Sequence, residues 1–109
     1  MQTNNKNISI INKDCKLNGN FDFKGYLLLA GSIKGNLNAE TVATEEDSYI
    51  NGKVKVNKLI IAGSFEGEIT ATESLTLLNT ANVKASIKCG KIIIEKGCIL
   101  NGKTEFLSV

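Results

Sequence analysis

Ile50-Asn51-Gly52-Lys53-Val54, followed 15 residues later by Phe65-Glu66-Gly67-Glu68-Ile69, sets the pattern of the whole chain: apolar, polar, glycine, polar, apolar. Reading toward the N-terminus, the same figure stands at Ile33-Lys34-Gly35-Asn36-Leu37 and at Leu17-Asn18-Gly19-Asn20-Phe21. Toward the C-terminus it returns as Val83-Lys84-Ala85-Ser86-Ile87, with alanine for glycine, and as Leu100-Asn101-Gly102-Lys103-Thr104. Successive centres lie 16, 17, 15, 18 and 17 residues apart. Six occurrences at nearly one spacing mark a repeat whose units stack on each other.

The register reaches beyond the figure. Four residues before each centre stands a small residue: Cys15, Gly31, Ser48, Gly63, Ala81 and Cys98. Four residues after it comes a mostly apolar column of Phe23, Ala39, Val56, Ala71, Cys89 and Phe106. A further strand precedes each small residue, at Ile8/Ile10, Leu27/Leu29, Leu59/Ile61, Leu75/Leu77 and Ile92/Ile94, with Val42 and Thr44 the weakest match. Alternation at period two is the mark of strand, and no window carries the period of an amphipathic helix. Seventeen residues at ~3.3 Å each trace about 56 Å, or three sides of roughly five residues with corners between them. The expectation is an all-β chain: a single three-sided parallel β-helix of about six coils, ~17 residues each, right-handed by the rule for parallel crossovers. The apolar figure positions Leu17, Ile33, Ile50, Phe65, Val83 and Leu100 form its core columns, as a sheet buried on one side by its own coil requires. Residues 1–7 read as a short polar tail and 8–109 as the β-helix domain.

Proline is absent from all 109 residues, consistent with coils that must each donate N–H groups to a neighbour. The chain carries 13 lysines, no arginine and 11 acids. Lysines alternate with acids, so no basic face for nucleic acid is drawn. Lys53 and Glu68 fall on adjacent coils, as do Glu66 and Lys84, and read as solvated cross-strand pairs. No apolar run approaches bilayer length and no signal peptide is visible, which makes the cytoplasm the expected compartment.

Chemistry is sparse. With no histidine, acyl transfer by an imidazole base, histidine-bound zinc and Ser/His/Asp catalysis all lack their central group. No phosphate-cradling glycine cluster precedes a helix. The acids Glu40, Glu45, Glu46 and Asp47 lack calcium-loop spacing and read as a solvated corner. Cys15, Cys89 and Cys98 read as reduced, small apolar residues; Cys15 and Cys98 share a column about 24 Å apart at ~4.8 Å per coil, too far to bridge. The chain is therefore expected to be no enzyme, with no catalytic residue, cofactor or metal.

The ends of a solenoid present unpaired strands over its core. At one end stand Ile8, Ile10 and Ile11, at the other Phe106 and Leu107, and these are the candidate polymerisation residues. Pairing of ends would continue both the ladder and the core.

The repeat, its six coils and the I-x-G-x-[LIV] figure, over residues 8 to 107, resemble the bactofilins, polymer-forming bacterial cytoskeletal proteins. The resemblance implies a right-handed β-helix that assembles without nucleotide into non-polar filaments. It implies a scaffold for cell-envelope and cell-shape processes, with itself, a second bactofilin, cell-wall enzymes and envelope proteins as partners. It also implies a place at the inner face of the cytoplasmic membrane, and an aromatic residue at the polymerising end, which Phe106 matches. The tail Met1-Gln2-Thr3-Asn4-Asn5-Lys6-Asn7 carries one lysine and no aromatic anchor, so membrane association stays open. Two other classes compete with the scaffold: a carbohydrate-binding or catalytic solenoid, which would need carboxylates or aromatics aligned on one face, and an adaptor that binds a partner along a β-face.

Overall fold

The computed structural model describes residues 8–107, and all of its regular elements are strands. In chain order they are β1 (Ile8–Ile11), β2 (Lys16–Asp22), β3 (Tyr26–Leu29), β4 (Ser32–Asn38), β5 (Thr41–Thr44) and β6 (Tyr49–Ile61). β7 (Ser64–Leu77), β8 (Asn82–Cys89), β9 (Ile92–Ile94), β10 (Ile99–Asn101) and β11 (Thr104–Phe106) follow. Every pairing is parallel and joins segments one coil apart. Gly19 lies beside Gly35, Gly35 beside Gly52, Gly52 beside Gly67, and Gly67 beside Ala85. The five-residue figures stack as their spacing predicts, and the chain is a parallel β-helix of about six coils.

Each coil has three straight segments and so the solenoid has three flanks. The first is built from β1, β3, β5, the C-terminal parts of β6 and β7, and β9. The second takes the N-terminal halves of β2, β4, β6, β7 and β8, with β10; the third takes their following halves, with β11. The glycine column is the corner between the second and third flanks. There Gly35, Gly52 and Gly67 hold φ of 124°, 141° and 128°, and a Cβ on each would run into the carbonyl of the glycine one coil before. Only glycine combines that dihedral with that approach.

The uneven spacing of the repeat has a simple cause in the other two corners. Between the first and second flanks the corner takes two lengths. Asn12–Cys15, Glu45–Ser48, Leu78–Ala81 and Glu95–Cys98 each form a four-residue turn, closed by bonds such as Ser48 N–H to Glu45 O at 3.0 Å. Ala30-Gly31 and Ala62-Gly63 turn in two, and a Cβ on either glycine would strike the longer turn stacked beneath it. The corner between the third and first flanks holds one residue or two. Coils with a short corner span 15 or 16 residues and coils with a long one 17 or 18, the third corner setting the remaining step.

Inside, the second-flank column Leu17, Ile33, Ile50, Phe65, Val83 and Leu100 runs in register from end to end. Its four middle members are fully buried, and Leu17 and Leu100 are partly so. Val42 and Thr44, the weakest match to the repeat, both face inward. Thr44 is tolerated because its hydroxyl accepts from Ala62 N–H at 3.0 Å and donates to Ile60 O at 3.3 Å. Ladder pairing between β5 and β6 stops at Ala43/Ile60, and the side chain satisfies the backbone just beyond it. Of the expected outer pairs, Lys53–Glu68 closes at 3.5 Å, while Glu66 instead accepts from Tyr49 Oη at 3.4 Å.

One expectation is corrected. In the first coil the residues aligned with Leu27 and Leu29 are Ser9 and Ile11, and Ile8 and Ile10 pair with Tyr26 and Leu28 on the outside. A one-residue slip exchanges the faces of a strand, and three isoleucines within four positions leave the phase open to hydrophobicity alone.

Candidate assembly surfaces at the solenoid ends

The coils that have a neighbour on one side only are built from the same columns as the middle. At the first end, β1 pairs only with β3 and β2 only with β4 among the described residues. At the last end, β9 pairs only with β7, and β10 and β11 only with β8. One rim of peptide N–H and C=O groups at each end therefore carries no ladder bond within the described residues, and the local fold keeps it in strand geometry. The outermost turns are held by the coil beneath: Phe23 N–H donates to Asn38 O at 2.8 Å, Ile99 N–H to Ala81 O at 2.9 Å and Leu107 N–H to Cys89 O at 2.9 Å.

The side chains follow. Phe106 sits in register on Cys89, continuing the column Phe23, Ala39, Val56, Ala71, Cys89; Cys89 is wholly buried and Phe106 is 62% exposed. Ile94 continues Ile61 and Leu77, both buried, and is 51% exposed. Leu107 is exposed beside Phe106. At the first end Phe21 and Phe23 are half-buried, their rings stacked with centroids 6.3 Å apart and planes 13° from parallel. Both ends thus offer apolar side chains, phenylalanine among them, framed by unpaired strand edges, which is chemistry for docking another coil.

Of the residues singled out in the sequence, Phe106 and Leu107 lie together at the last end. Ile11 is buried under Leu29, and Ile8 and Ile10 point out from the first flank. Phe21, Phe23 and Ile94 join the ends without having been singled out for that role. Their columns were legible, and the missing step was that the outermost member of a column has a paired coil on one side only among the described residues.

No group of three or more His, Cys, Asp or Glu among the described residues could hold an ion. Glu45, Glu46 and Asp47 lie exposed on a four-residue turn, while Glu40 belongs to a different corner. The three cysteines are free, and burial pushes the Cys89 thiol above its usual pKa, away from the reactive thiolate. No helix of the described residues is long and apolar enough to cross a membrane.

Comparison with known proteins agrees with this architecture. The chain is 28% identical to bactofilin BacP of Myxococcus xanthus over 72% of its length, spanning about a third (33%) of that protein. It is 22% identical to bactofilin BacO of the same organism over 89% of its length, spanning 78% of that one. No solved structure matches. The family model for bactofilins, described as polymer-forming cytoskeletal, covers residues 9–105, nearly every coil of the β-helix, and the chain belongs to that family.

Proposed function

We propose that this chain is a cytoskeletal scaffold that polymerises end to end through the outermost coils of its β-helix. The observation that carries the reading is Phe106: the column it continues is buried at Val56, Ala71 and Cys89, and at the last coil the same column opens onto the surface. A second coil laid on that end would bury Phe106, Ile94 and Leu107 and complete the unpaired rim of β9, β10 and β11. Neither step needs a nucleotide. Because phenylalanines stand at both ends, like ends can meet like, giving filaments without polarity. Its compartment in this reading is the cytoplasm, at the inner face of the membrane, where filaments organise envelope and cell-shape processes. Its further partners are a second bactofilin, cell-wall enzymes and envelope proteins, recruited by the polymer.

The test is negative-stain electron microscopy of the purified chain without nucleotide, beside Phe106→Arg. Narrow straight filaments from the parent, and none from a variant that keeps the β circular dichroism signal, are the expected result. A guanidinium cannot be desolvated cheaply in a dry contact. A parent that stays monomeric at every concentration, or a variant that polymerises equally well, overturns the reading.

A further inference from the structure

The three flanks of the prism do not present the same surface. Outward positions on the second and third flanks hold asparagine, lysine, serine, threonine, aspartate and glutamate, with Tyr49 and Ile99 the exceptions among the described residues. The first flank differs. Along it, in register through all six coils, runs the outward column Ile10, Leu28, Ala43, Ile60, Thr76, Ile93. Ile10 is 64% exposed and Ile93 43%, and Ile8 and Tyr26 widen the stripe at its first end. An outward column apolar at five of its six positions, with Thr76 the polar one, is a contact surface rather than scattered exposure.

We infer that this flank is the seat of a second copy of the chain, laid face to face and antiparallel. A two-fold axis perpendicular to the solenoid, passing between the third and fourth coils, sets the first coil opposite the sixth, the second opposite the fifth and the third opposite the fourth. In the stripe, Ala43 then meets Ile60, Leu28 meets Thr76 and Ile10 meets Ile93, so large side chains find small ones in the middle. On the border between the third and first flanks, the charges of the second to fifth coils come near opposite ones in the same arrangement. Lys24 comes opposite the Thr72-Glu73 corner of the second copy, and Glu40 stands one residue from Thr41, which comes opposite Lys58; Lys91 comes opposite Ile8, and the Lys13-Asp14 turn opposite Glu95-Lys96, where Lys13 is level with Lys96. The acidic turn Glu45-Glu46-Asp47 meets the uncharged Ala62-Gly63 corner. A parallel arrangement would instead set Glu40 against that acidic turn. Acids stand on both borders of the stripe, Glu40 and Glu73 on one and Glu45, Glu46 and Asp47 on the other, and disfavour an anionic lipid surface as its occupant.

The size of the contact says when it forms. Six coils at ~4.8 Å by a four-residue strand of about 13 Å give roughly 750 Å² from both copies, below the ~1,200 Å² of a stable complex. Single chains should pair weakly. Chains already joined in a row present many such faces at once, and the second filament is then held by avidity. Only this amplification rests on the end-to-end reading proposed above.

The experiment compares electron micrographs of the parent, Ile60→Lys, Leu28→Lys, Glu40→Lys and the swap Glu40→Lys/Lys58→Glu, each checked by circular dichroism. The inference expects paired filaments from the parent and single ones from both stripe variants. Glu40→Lys should lower the paired fraction several-fold, and the swap should restore it. Single filaments from the parent, or undiminished pairing in both stripe variants, overturn the inference and leave end-to-end assembly standing. Pairing strengthened by Glu40→Lys overturns the antiparallel arrangement. If no filaments form at all, the earlier reading fails by itself. Sedimentation equilibrium at millimolar concentration then decides this one: a dimer lost in Ile60→Lys supports it, and a monomer overturns it. Binding of phosphatidylglycerol vesicles that is abolished in Ile60→Lys while the parent never pairs assigns the stripe to lipid and overturns it too.

Discussion

Phe65 and Phe106 are both phenylalanines in inward columns of one β-helix, and their surroundings are opposite. Phe65, in the fourth coil, has Ile50 below it, Val83 above it and 1% of its surface exposed. Phe106, in the last described coil, has Cys89 on one side and is 62% exposed. The residue type is the same and both columns face inward, on the second and the third flank, and the difference is that Phe65 has a paired coil on both sides while Phe106 has one on a single side among the described residues. In a solenoid each coil is the lid of the one beneath, and burial is a property of the stack rather than of the residue. An end coil is therefore a core open on one side, and in the reading proposed above what stabilises the fold in the middle becomes affinity at the end.

The sharpest way to break this comparison uses the glycine corner. Gly52→Val should cost more than about 4 kcal/mol, because the added Cβ meets the Gly35 carbonyl and the φ of 141° resists any branched residue. At the open first end, a Cβ on Gly19 meets nothing within 4 Å, although φ is 139° there too. Gly19→Ala should cost only the dihedral strain, on the order of 1–2 kcal/mol. Urea denaturation of both variants under monomeric conditions checks the pair; equal losses would mean that coil stacking does not set the cost.

The two phenylalanines test the core itself. Phe65→Ala should destabilise the monomer by about 3–5 kcal/mol, the usual cost of emptying a packed aromatic site. Phe106→Ala should lower monomer stability by less than about 1 kcal/mol, since most of that side chain already meets water. Its loss should appear instead as a raised critical concentration for assembly in light scattering. A large stability loss at Phe106 with unchanged assembly would assign it to the core alone.

The sequence made the fold legible because stacked columns force a periodic signature: Gly35, Gly52 and Gly67 recur where the corner admits no Cβ, and Leu17 to Leu100 recur where the core needs apolar bulk. The first-coil phase was misread at Ile8 and Ile10 because hydrophobicity there is nearly uniform. The corner lengths would have resolved it. Before each four-residue turn the inward residues stand four and six positions ahead of the small residue, as Leu75 and Leu77 do before Ala81, and the same count before Cys15 selects Ser9 and Ile11. The ends were legible only as far as Phe106 and Leu107, because a column's outermost member differs from the rest in its neighbours and not in its identity. The apolar flank went unread for a related reason: Ile10, Leu28, Ile60 and Ile93 look like core residues until register shows which way they face.

The smallest contrast concerns polar atoms placed in one column at its middle and at its end. Thr44 pairs with Leu29 and stands one position past the last β5–β6 pair, 6% exposed, and its hydroxyl serves both the N–H of Ala62 and the carbonyl of Ile60. Thr44→Val keeps the volume and strips a buried N–H of its acceptor, so it should cost about 1–3 kcal/mol despite being more apolar. Thr44→Ser, which retains the hydroxyl, should recover part of that loss. Ile94 ends the same column, half exposed, and Ile94→Thr places a hydroxyl where water can reach it. That change should cost the monomer less than about 1 kcal/mol. Thermal melts of the three variants rank them, and the informative reversal is a Thr44→Val protein as stable as the parent. It would mean that the Ala62 N–H finds another partner, and that the corner beside the acidic turn is looser than its hydrogen bonds imply.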